Sequence, residues 1–213
     1  MKAKRFSAIL FDLDGTLVDT THLYADACIT GMNAIGIPFT HEDFRHHYQG
    51  AMGMESWISA MGGDTTRLEE VRQCRDAHYH ELLRTKSTFL PGAIDILRHL
   101  HGRTGVVTNS VRSYVDAIHE CIRLYDHLPI SITADEMGDF CKPYPHGVLT
   151  LLDRLGVPAE EALYVGDQIF DLETAHNAGV TSCLIHGPHT PSNAAEHADM
   201  VIEGLEELRE IDQ

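Results

Sequence analysis

The segment at residues 7–11 (SAILF) carries no polar side chain after its first residue. A strand with one face in water alternates polar and apolar residues, so an uninterrupted apolar run indicates burial on both faces. Such strands occur mainly in parallel sheets that helices cover on both sides. Similar short runs recur along the chain, at residues 104–108, 130–133, 162–165, 180–185 and 200–202.

Segments with helical spacing separate these runs, at residues 93–101, 111–124, 146–155, 172–178 and 205–211, while residues 134–145 have the composition of a loop. One helix between successive strands is typical of right-handed crossover connections. The sequence therefore predicts an α/β fold with a doubly wound, mainly parallel, Rossmann-like sheet.

Residues 17–87 depart from this alternation. Apolar residues recur there at steps of three and four, as at Leu23 and Ala27, and no strand-like run is found. This pattern predicts an inserted all-helical domain at residues 17–87, within a core α/β domain formed by residues 1–16 and 88–213.

Charge and composition restrict the classes of partner. The 213 residues carry a formal net charge of -16, which argues against nucleic acid or an anionic membrane surface as a partner. No apolar stretch approaches transmembrane length, and the first one is too short for a signal peptide. Five scattered cysteines without CxxC spacing indicate reduced thiols. We expect a cytoplasmic monomer or homodimer.

Polar side chains follow four of the predicted strands at their carboxyl ends, where ligands bind in sheets of this kind. They are Asp12 and Asp14 after the first strand, Thr108, Asn109 and Ser110 after the second, Lys142 in the loop after the third, and Asp167 and Asp171 after the fourth. We expect these side chains to converge on one edge of the sheet.

The chemistry of this set favours a phosphoryl group. Carboxylates are the ligands that Mg²⁺ prefers, and a divalent cation would relieve the repulsion between Asp12 and Asp14. Thr108 precedes a predicted helix whose first amides can bind an anion, and Lys142 adds a compact positive charge. The fifteen histidines lack a spacing that would bring them together as metal ligands, so we expect them to be structural or solvated.

These four groups resemble the motifs of the haloacid dehalogenase-like hydrolase superfamily. The matching stretches are DLDGT at residues 12–16, TNS at 108–110, KP at 142–143, and GD at 166–167 with Asp171. The resemblance extends over about residues 8–211. It points to the branch of capped phosphatases that includes phosphoglycolate phosphatases and β-phosphoglucomutases.

The resemblance implies the roles of the reacting carboxylates. Asp12 would be the nucleophile that forms an aspartyl-phosphate. Asp14 would protonate the leaving group and then activate water. Asp12, Asp167 and the backbone carbonyl of Asp14 would bind Mg²⁺, and Asp171 would hold a metal-bound water. Asp171 has a second interpretation from the sequence alone, as a residue that stabilises the first turn of its own helix.

The resemblance also implies the groups that bind the phosphate. Thr108 and the amide of Asn109 would contact its oxygens, and Lys142 would neutralise charge shared with the nucleophile. Gly15 would allow close approach of the backbone, and Gly50 matches the glycine of the substrate loop in the helical domain. The predicted function is therefore a Mg²⁺-dependent phosphatase that hydrolyses a small phosphomonoester.

Two alternatives remain open. A β-phosphoglucomutase-like phosphosugar mutase is less favoured, because Gln49 and Gly53 occupy positions where those enzymes carry a lysine and an arginine. A phospho-accepting signalling domain uses similar side chains but lacks a helical insertion of this size. The nearly uncharged loop around Gly50 argues against a second anionic group on the substrate, which weakens phosphoglycolate without excluding it.

Overall fold

The computed structural model describes residues 6–49, 53–128 and 130–212. The chain divides into two compact units, Met1–Asp19 with Thr88–Gln213 and, between them, Thr20–Ser87. The inserted unit begins three residues later than the predicted boundary at residue 17. Leu17 and Asp19 belong with the sheet because Leu90 N–H donates to the Leu17 carbonyl and Asp19 N–H donates to the Thr88 carbonyl, at 2.9 Å each.

The inserted unit is helical throughout its described residues and has its own core. Its helices are α1 (Thr21–Ala34), α2 (His41–Gln49), α3 (Met54–Ala60) and α4 (Leu68–Lys86). Aromatic rings fill the core, with Trp57 stacked on Phe39 at 5.9 Å and perpendicular to Phe44. A Cβ on Gly31 of α1 would lie 2.7 Å from the Val71 carbonyl of α4, so only glycine allows these helices to approach so closely.

The other unit is a six-stranded parallel sheet with helices between its strands, which confirms the predicted fold. The strands are β1 (Ala8–Phe11), β2 (Thr104–Val107), β3 (Ser131–Ile132), β4 (Ala162–Gly166), β5 (Thr181–Ile185) and β6 (Met200–Ile202). The helices are α5 (Ala93–His99), α6 (Arg112–Ile122), α7 (Ala134–Met137), α8 (His146–Leu155), α9 (Ile169–Ala178) and α10 (Leu208–Ile211).

The strand order is β3-β2-β1-β4-β5-β6. The connections therefore run to opposite sides of β1, which creates the crevice where doubly wound sheets bind ligands. Residues 8–11 of β1 are fully buried, as their uninterrupted apolar character predicts. No helix among the described residues combines the length and apolar character needed to span a membrane.

The sequence-based assignments were also wrong at residues 134–145 and at the start of α9. Residues 134–145, predicted as a loop, contain α7 and the 3-10 turn Gly138–Phe140, because Thr133 and Glu136 form a capping box that starts a helix. Helix α9 begins at Ile169 rather than at residue 172, because Gln168 and Asp171 form a second capping box.

Candidate active site

Parallel register brings three strand ends to the same level. Phe11 at the end of β1 lies opposite Val106 of β2 and Val165 of β4. Asp12 comes one residue after Phe11, and Thr108 and Asp167 come two residues after Val106 and Val165. These three residues therefore leave the sheet side by side. Asp12, Thr108 and Asp167 are all buried, with 4%, 1% and 2% of their surface exposed.

Lys142 links two of the carboxylates. Its Nζ lies 2.6 Å from Asp12 Oδ1 and 2.7 Å from Asp171 Oδ1, and all three side chains are almost fully buried. The rings of Tyr164 and Phe170 lie 5.9 and 5.2 Å from the ammonium group, within the range of cation–π attraction. Burial acts to lower the pKa of Lys142, but the charges of Asp12 and Asp171 outweigh it and hold the pKa well above its ordinary value.

The loop that carries Lys142 is fixed by Asn109. The Lys142 N–H donates to Asn109 Oδ1 at 2.9 Å, and Asn109 Nδ2 donates to the Lys142 carbonyl at 3.1 Å. The peptide bond between Lys142 and Pro143 is cis. The Asn109 side chain thus joins the loop after β2 to the loop before α8, a contact that the sequence did not indicate.

Asp14 contacts the residues that follow β2. Its Oδ2 accepts hydrogen bonds from Ser110 Oγ at 2.7 Å and from Thr108 Oγ1 at 3.3 Å. The Asp14 carboxylate is half-buried, whereas Asp12 is buried. The two carboxylates of the first motif therefore have different contacts, since Asp12 pairs with the Lys142 ammonium and Asp14 accepts from two hydroxyl groups.

Among the described residues, the hydrogen-bond donors to Asp167 are neutral. Gln168 Nε2 donates to its Oδ2 at 2.5 Å and Thr16 Oγ1 donates to its Oδ1 at 3.3 Å. Burial and the charge of Asp171 raise its pKa to about 7. Gly15 lies against the same carboxylate at a φ of 81°, and a Cβ there would be 2.9 Å from Asp167 Oδ2. Glycine is required here by both the backbone conformation and the space.

Asp171 takes the second of the two roles that the sequence left open, at the start of its own helix, and it also contacts Lys142. It lies in the first turn of α9, where its Oδ2 accepts the Gln168 N–H at 3.0 Å, and its Oδ1 contacts Lys142. Asp171 is fully buried. It therefore stabilises the start of its helix and belongs to the carboxylate cluster at the same time.

A cation fits this cluster. One carboxylate oxygen each from Asp12, Asp167 and Asp171 lie within 4.8 Å of one another, and this is the one group of three possible metal ligands in the described part of the chain. The cluster holds three buried carboxylates, and the Lys142 ammonium contacts two of them, so negative charge is in excess. Burial and the other carboxylates raise the pKa of Asp12 against the opposing charge of Lys142. All-oxygen donor sets of this kind suit Mg²⁺.

Two backbone N–H groups near the nucleophile position have no hydrogen-bond acceptor among the described residues, those of Leu13 and Asn109. In a regular parallel pairing of β1 with β2, the Leu13 N–H would donate to the Val107 carbonyl. That carbonyl accepts a hydrogen bond from Tyr164 Oη at 2.9 Å. Leu13 is fully buried. A buried N–H without an acceptor is costly, so a ligand anion is a natural partner for it.

The structure brings together all the predicted site residues of the sheet unit. Gly50, which was predicted to contact the substrate, lies outside the described residues, and Gln49 is described in its backbone only. Thr16 and Ser110 lie within the predicted motifs but were given no role, and Gln168 was not expected at the site; each contacts an acidic side chain. Gln168 directly follows the motif residue Asp167, which was the available signal.

Fold and site together define an α/β enzyme with a carboxylate–lysine centre at the strand ends. The chain belongs to the haloacid dehalogenase-like hydrolase family, whose model matches residues 9–185. The N-acetylmuramic acid 6-phosphate phosphatase of Pseudomonas aeruginosa is 26% identical over 219 residues, which cover 99% of this chain and 96% of that protein. A phosphoglycolate phosphatase of Aquifex aeolicus is 31% identical over 179 residues, which cover 83% of each chain.

Solved structures agree with this assignment. A Haemophilus somnus protein described as a predicted phosphoglycolate phosphatase has a TM-score of 0.84 to this chain, with 20% identity and coverage of 98% of each chain. At that identity the likeness establishes the fold alone. The sequence-based predictions of the family and of a phosphoric monoester hydrolase are confirmed.

Proposed function

We propose that this chain is a Mg²⁺-dependent phosphatase that hydrolyses a small phosphomonoester through an aspartyl-phosphate on Asp12. The observation that carries the proposal is the buried contact of Lys142 with both Asp12 and Asp171. These residues belong to a cluster with excess negative charge at the strand ends. A lysine in this position fixes the nucleophile and can share its charge with an incoming phosphate.

Binding of the phosphoryl group uses donors at the carboxyl ends of β1 and β2. Within the described parts of the chain, the N–H groups of Leu13 and Asn109 have no acceptor, and Thr108 is buried just after β2. Together with the ammonium of Lys142, these donors stabilise charge on the equatorial oxygens as phosphorus is attacked.

The reaction has two steps on this chain's residues. An oxygen of Asp12 attacks phosphorus, the bond to the leaving oxygen breaks, and Asp14 gives that oxygen its proton. A water molecule then loses a proton to Asp14 and attacks the same phosphorus, which releases inorganic phosphate and restores Asp12. Lys142 holds one Asp12 oxygen throughout and so fixes the plane of the carboxylate.

Asp12, Asp167 and the backbone carbonyl of Asp14 would hold Mg²⁺, with Asp171 beside them. The bound ion would supply positive charge that offsets the excess carboxylates and attracts the phosphate. Gln168 and Thr16 orient Asp167 for this role, since each donates to one of its oxygens.

Turnover of p-nitrophenyl phosphate tests the proposal. We expect phosphate release that requires Mg²⁺, is abolished by chelation, and falls at least about a thousandfold in Asp12→Asn. Full turnover by Asp12→Asn would contradict the assignment of the nucleophile. A phospho-accepting signalling domain would show no turnover, and a phosphosugar mutase would convert a sugar phosphate to its isomer without releasing phosphate.

For the natural substrate we propose a small phosphomonoester of the kind named for the relatives. N-Acetylmuramic acid 6-phosphate and phosphoglycolate are the first candidates, because phosphatases named for them align with 99% and 83% of this chain. Comparison of kcat/KM across a panel that contains both, together with sugar phosphates and nucleotides, selects among them.

A further inference from the structure

Ser110 donates a short hydrogen bond to Asp14. Its Oγ lies 2.7 Å from Asp14 Oδ2, compared with 3.3 Å for Thr108 Oγ1 on the same oxygen. Both residues lie in the sheet unit, and Ser110 is half-buried. An O–H donor at 2.7 Å from a carboxylate is within the range of a strong hydrogen bond.

The backbone holds Ser110 on both sides. Its N–H donates to Thr108 Oγ1 at 3.0 Å, and its carbonyl accepts the Ala134 N–H at 3.1 Å, which ties it to the start of α7. The turn after β1 is equally well defined, because the Val18 carbonyl accepts the Gly15 N–H at 2.9 Å. The serine hydroxyl and the Asp14 carboxylate are therefore presented to each other by two fixed loops.

We propose that Ser110 is a positioning residue for proton transfer, which holds the Asp14 carboxyl group by Oδ2 in the orientation from which it serves the leaving oxygen. The inference rests on the proposed function and deepens it. In the first step the O–H bond of Asp14 breaks, and its proton joins the leaving oxygen, which keeps the electron pair of the broken P–O bond. In the second step a water molecule gives a proton to Asp14, the water oxygen bonds to phosphorus, and the bond between phosphorus and the Asp12 oxygen breaks.

A hydroxyl group suits this task better than a cation does. Serine donates to Asp14 when the carboxylate is ionised and can rotate to accept when the carboxyl group carries a proton. The partner therefore remains in place through both steps. An ammonium group has no acceptor and would favour only the ionised form.

The leaving group provides a specific test. Nitrophenolate is a weak base and departs without a proton. The alkoxide that leaves from glycerol phosphate is strongly basic and needs a proton to depart as glycerol. The value of kcat/KM reports the steps up to formation of the aspartyl-phosphate. We expect Ser110→Ala to lower kcat/KM for glycerol phosphate by about 10- to 100-fold, and for p-nitrophenyl phosphate by several-fold less. Ser110→Thr keeps the hydroxyl group and should restore most of the difference.

Two further variants separate positioning from general damage. Ser192→Ala changes an exposed serine of the same unit and should leave both substrates unaffected. In an Asp14→Asn background, Ser110→Ala should have no further effect that depends on the leaving group, because the two residues act together. Thermal unfolding of each variant shows that it is folded.

The outcomes are distinguishable. A Ser110→Ala variant that loses equal factors on both esters, or nothing on glycerol phosphate, overturns the role of Ser110 and leaves the proposed function standing. A wild-type protein that hydrolyses neither ester contradicts the proposed function and this inference with it. A loss confined to the alkyl ester, with rescue by Ser110→Thr, supports the inference.

Discussion

Replacement of Lys142 by methionine removes the positive charge from the acidic cluster while keeping a side chain of similar length. The Lys142 side chain is 1% exposed, and those of Asp12 and Asp171 are 6% and 0% exposed. Loss of one member of a buried ion pair typically costs ~3–5 kcal/mol, because the remaining charge is buried without a partner. Here two carboxylates lose the same cation, so we expect a loss of about 5 kcal/mol, the upper end of that range.

Urea unfolding of the metal-free protein measures this loss. Circular dichroism is the suitable probe, because the lone Trp57 lies in the helical unit and not in the sheet. Lys86→Met is the matched control, since Lys86 is exposed at the end of α4 and its replacement should change stability by less than ~0.5 kcal/mol. We also expect kcat/KM to fall by about 10²–10³-fold in Lys142→Met.

Lys142→Arg should not rescue either property, because the larger, planar guanidinium does not reproduce the position of an ammonium that is almost fully buried beside the Tyr164 and Phe170 rings. The reasoning would be refuted by a Lys142→Met protein that matches the Lys86→Met control in stability and keeps wild-type turnover.

Three further predictions concern the carboxylates and a glycine. Mg²⁺ should raise the midpoint temperature of thermal unfolding, measured by scanning calorimetry, in the wild type but not in Asp167→Asn. Gly15→Ala should weaken Mg²⁺ binding in titration calorimetry and cost ~1–3 kcal/mol, whereas Gly36→Ala, at the same φ of 81° in open space, should cost stability without affecting the ion. Burial acts to raise the pKa of Asp212, but Arg103 outweighs it and holds the pKa below its ordinary value. The folded state therefore binds this proton less readily than the unfolded chain, so stability should fall as the pH drops below about 4. Arg103→Gln should cost roughly 2 kcal/mol at pH 7 and should make that fall in stability less steep.

Each of these has a contrary result. Equal Mg²⁺ shifts in the wild type and Asp167→Asn would place the ion away from this cluster. Unchanged Mg²⁺ affinity in Gly15→Ala would mean that the loop yields to the extra Cβ. An acid decline of the same slope in Arg103→Gln would assign that decline to carboxylates other than Asp212.

The sheet and the residues at its strand ends could be predicted because parallel strands impose their register. Once β1, β2 and β4 are adjacent, Asp12, Thr108 and Asp167 follow at one edge whatever the loops do. Burial on both faces leaves a plain sign in the sequence, the uninterrupted apolar run. For that reason the fold and these three positions were accessible from composition and spacing.

Contacts between loops were not accessible in the same way. The sequence assigned Asn109 to the phosphate through its amide. The further contact of its side chain with the backbone of Lys142, 33 residues along the chain, was not predicted. The bonds from Ser110 to Asp14 and from Gln168 to Asp167 depend on rotamers and on the turn geometry after each strand. The periodicity of the sequence does not indicate rotamers or turn geometry. Helix α7, by contrast, could have been predicted from the capping-box sequence TADE, which begins at Thr133.

A covalent phosphoryl group on Asp12 is the central claim, and rapid acid quenching with peptide mass spectrometry tests it most directly. Wild-type protein mixed with Mg²⁺ and p-nitrophenyl phosphate for a few milliseconds should yield the peptide that contains Asp12 with one added phosphoryl group, located on that aspartate by fragmentation. The label should disappear when the substrate is exhausted and should never form in Asp12→Asn. A protein that turns over the ester with no label on Asp12, or with the label on another residue, would contradict the account.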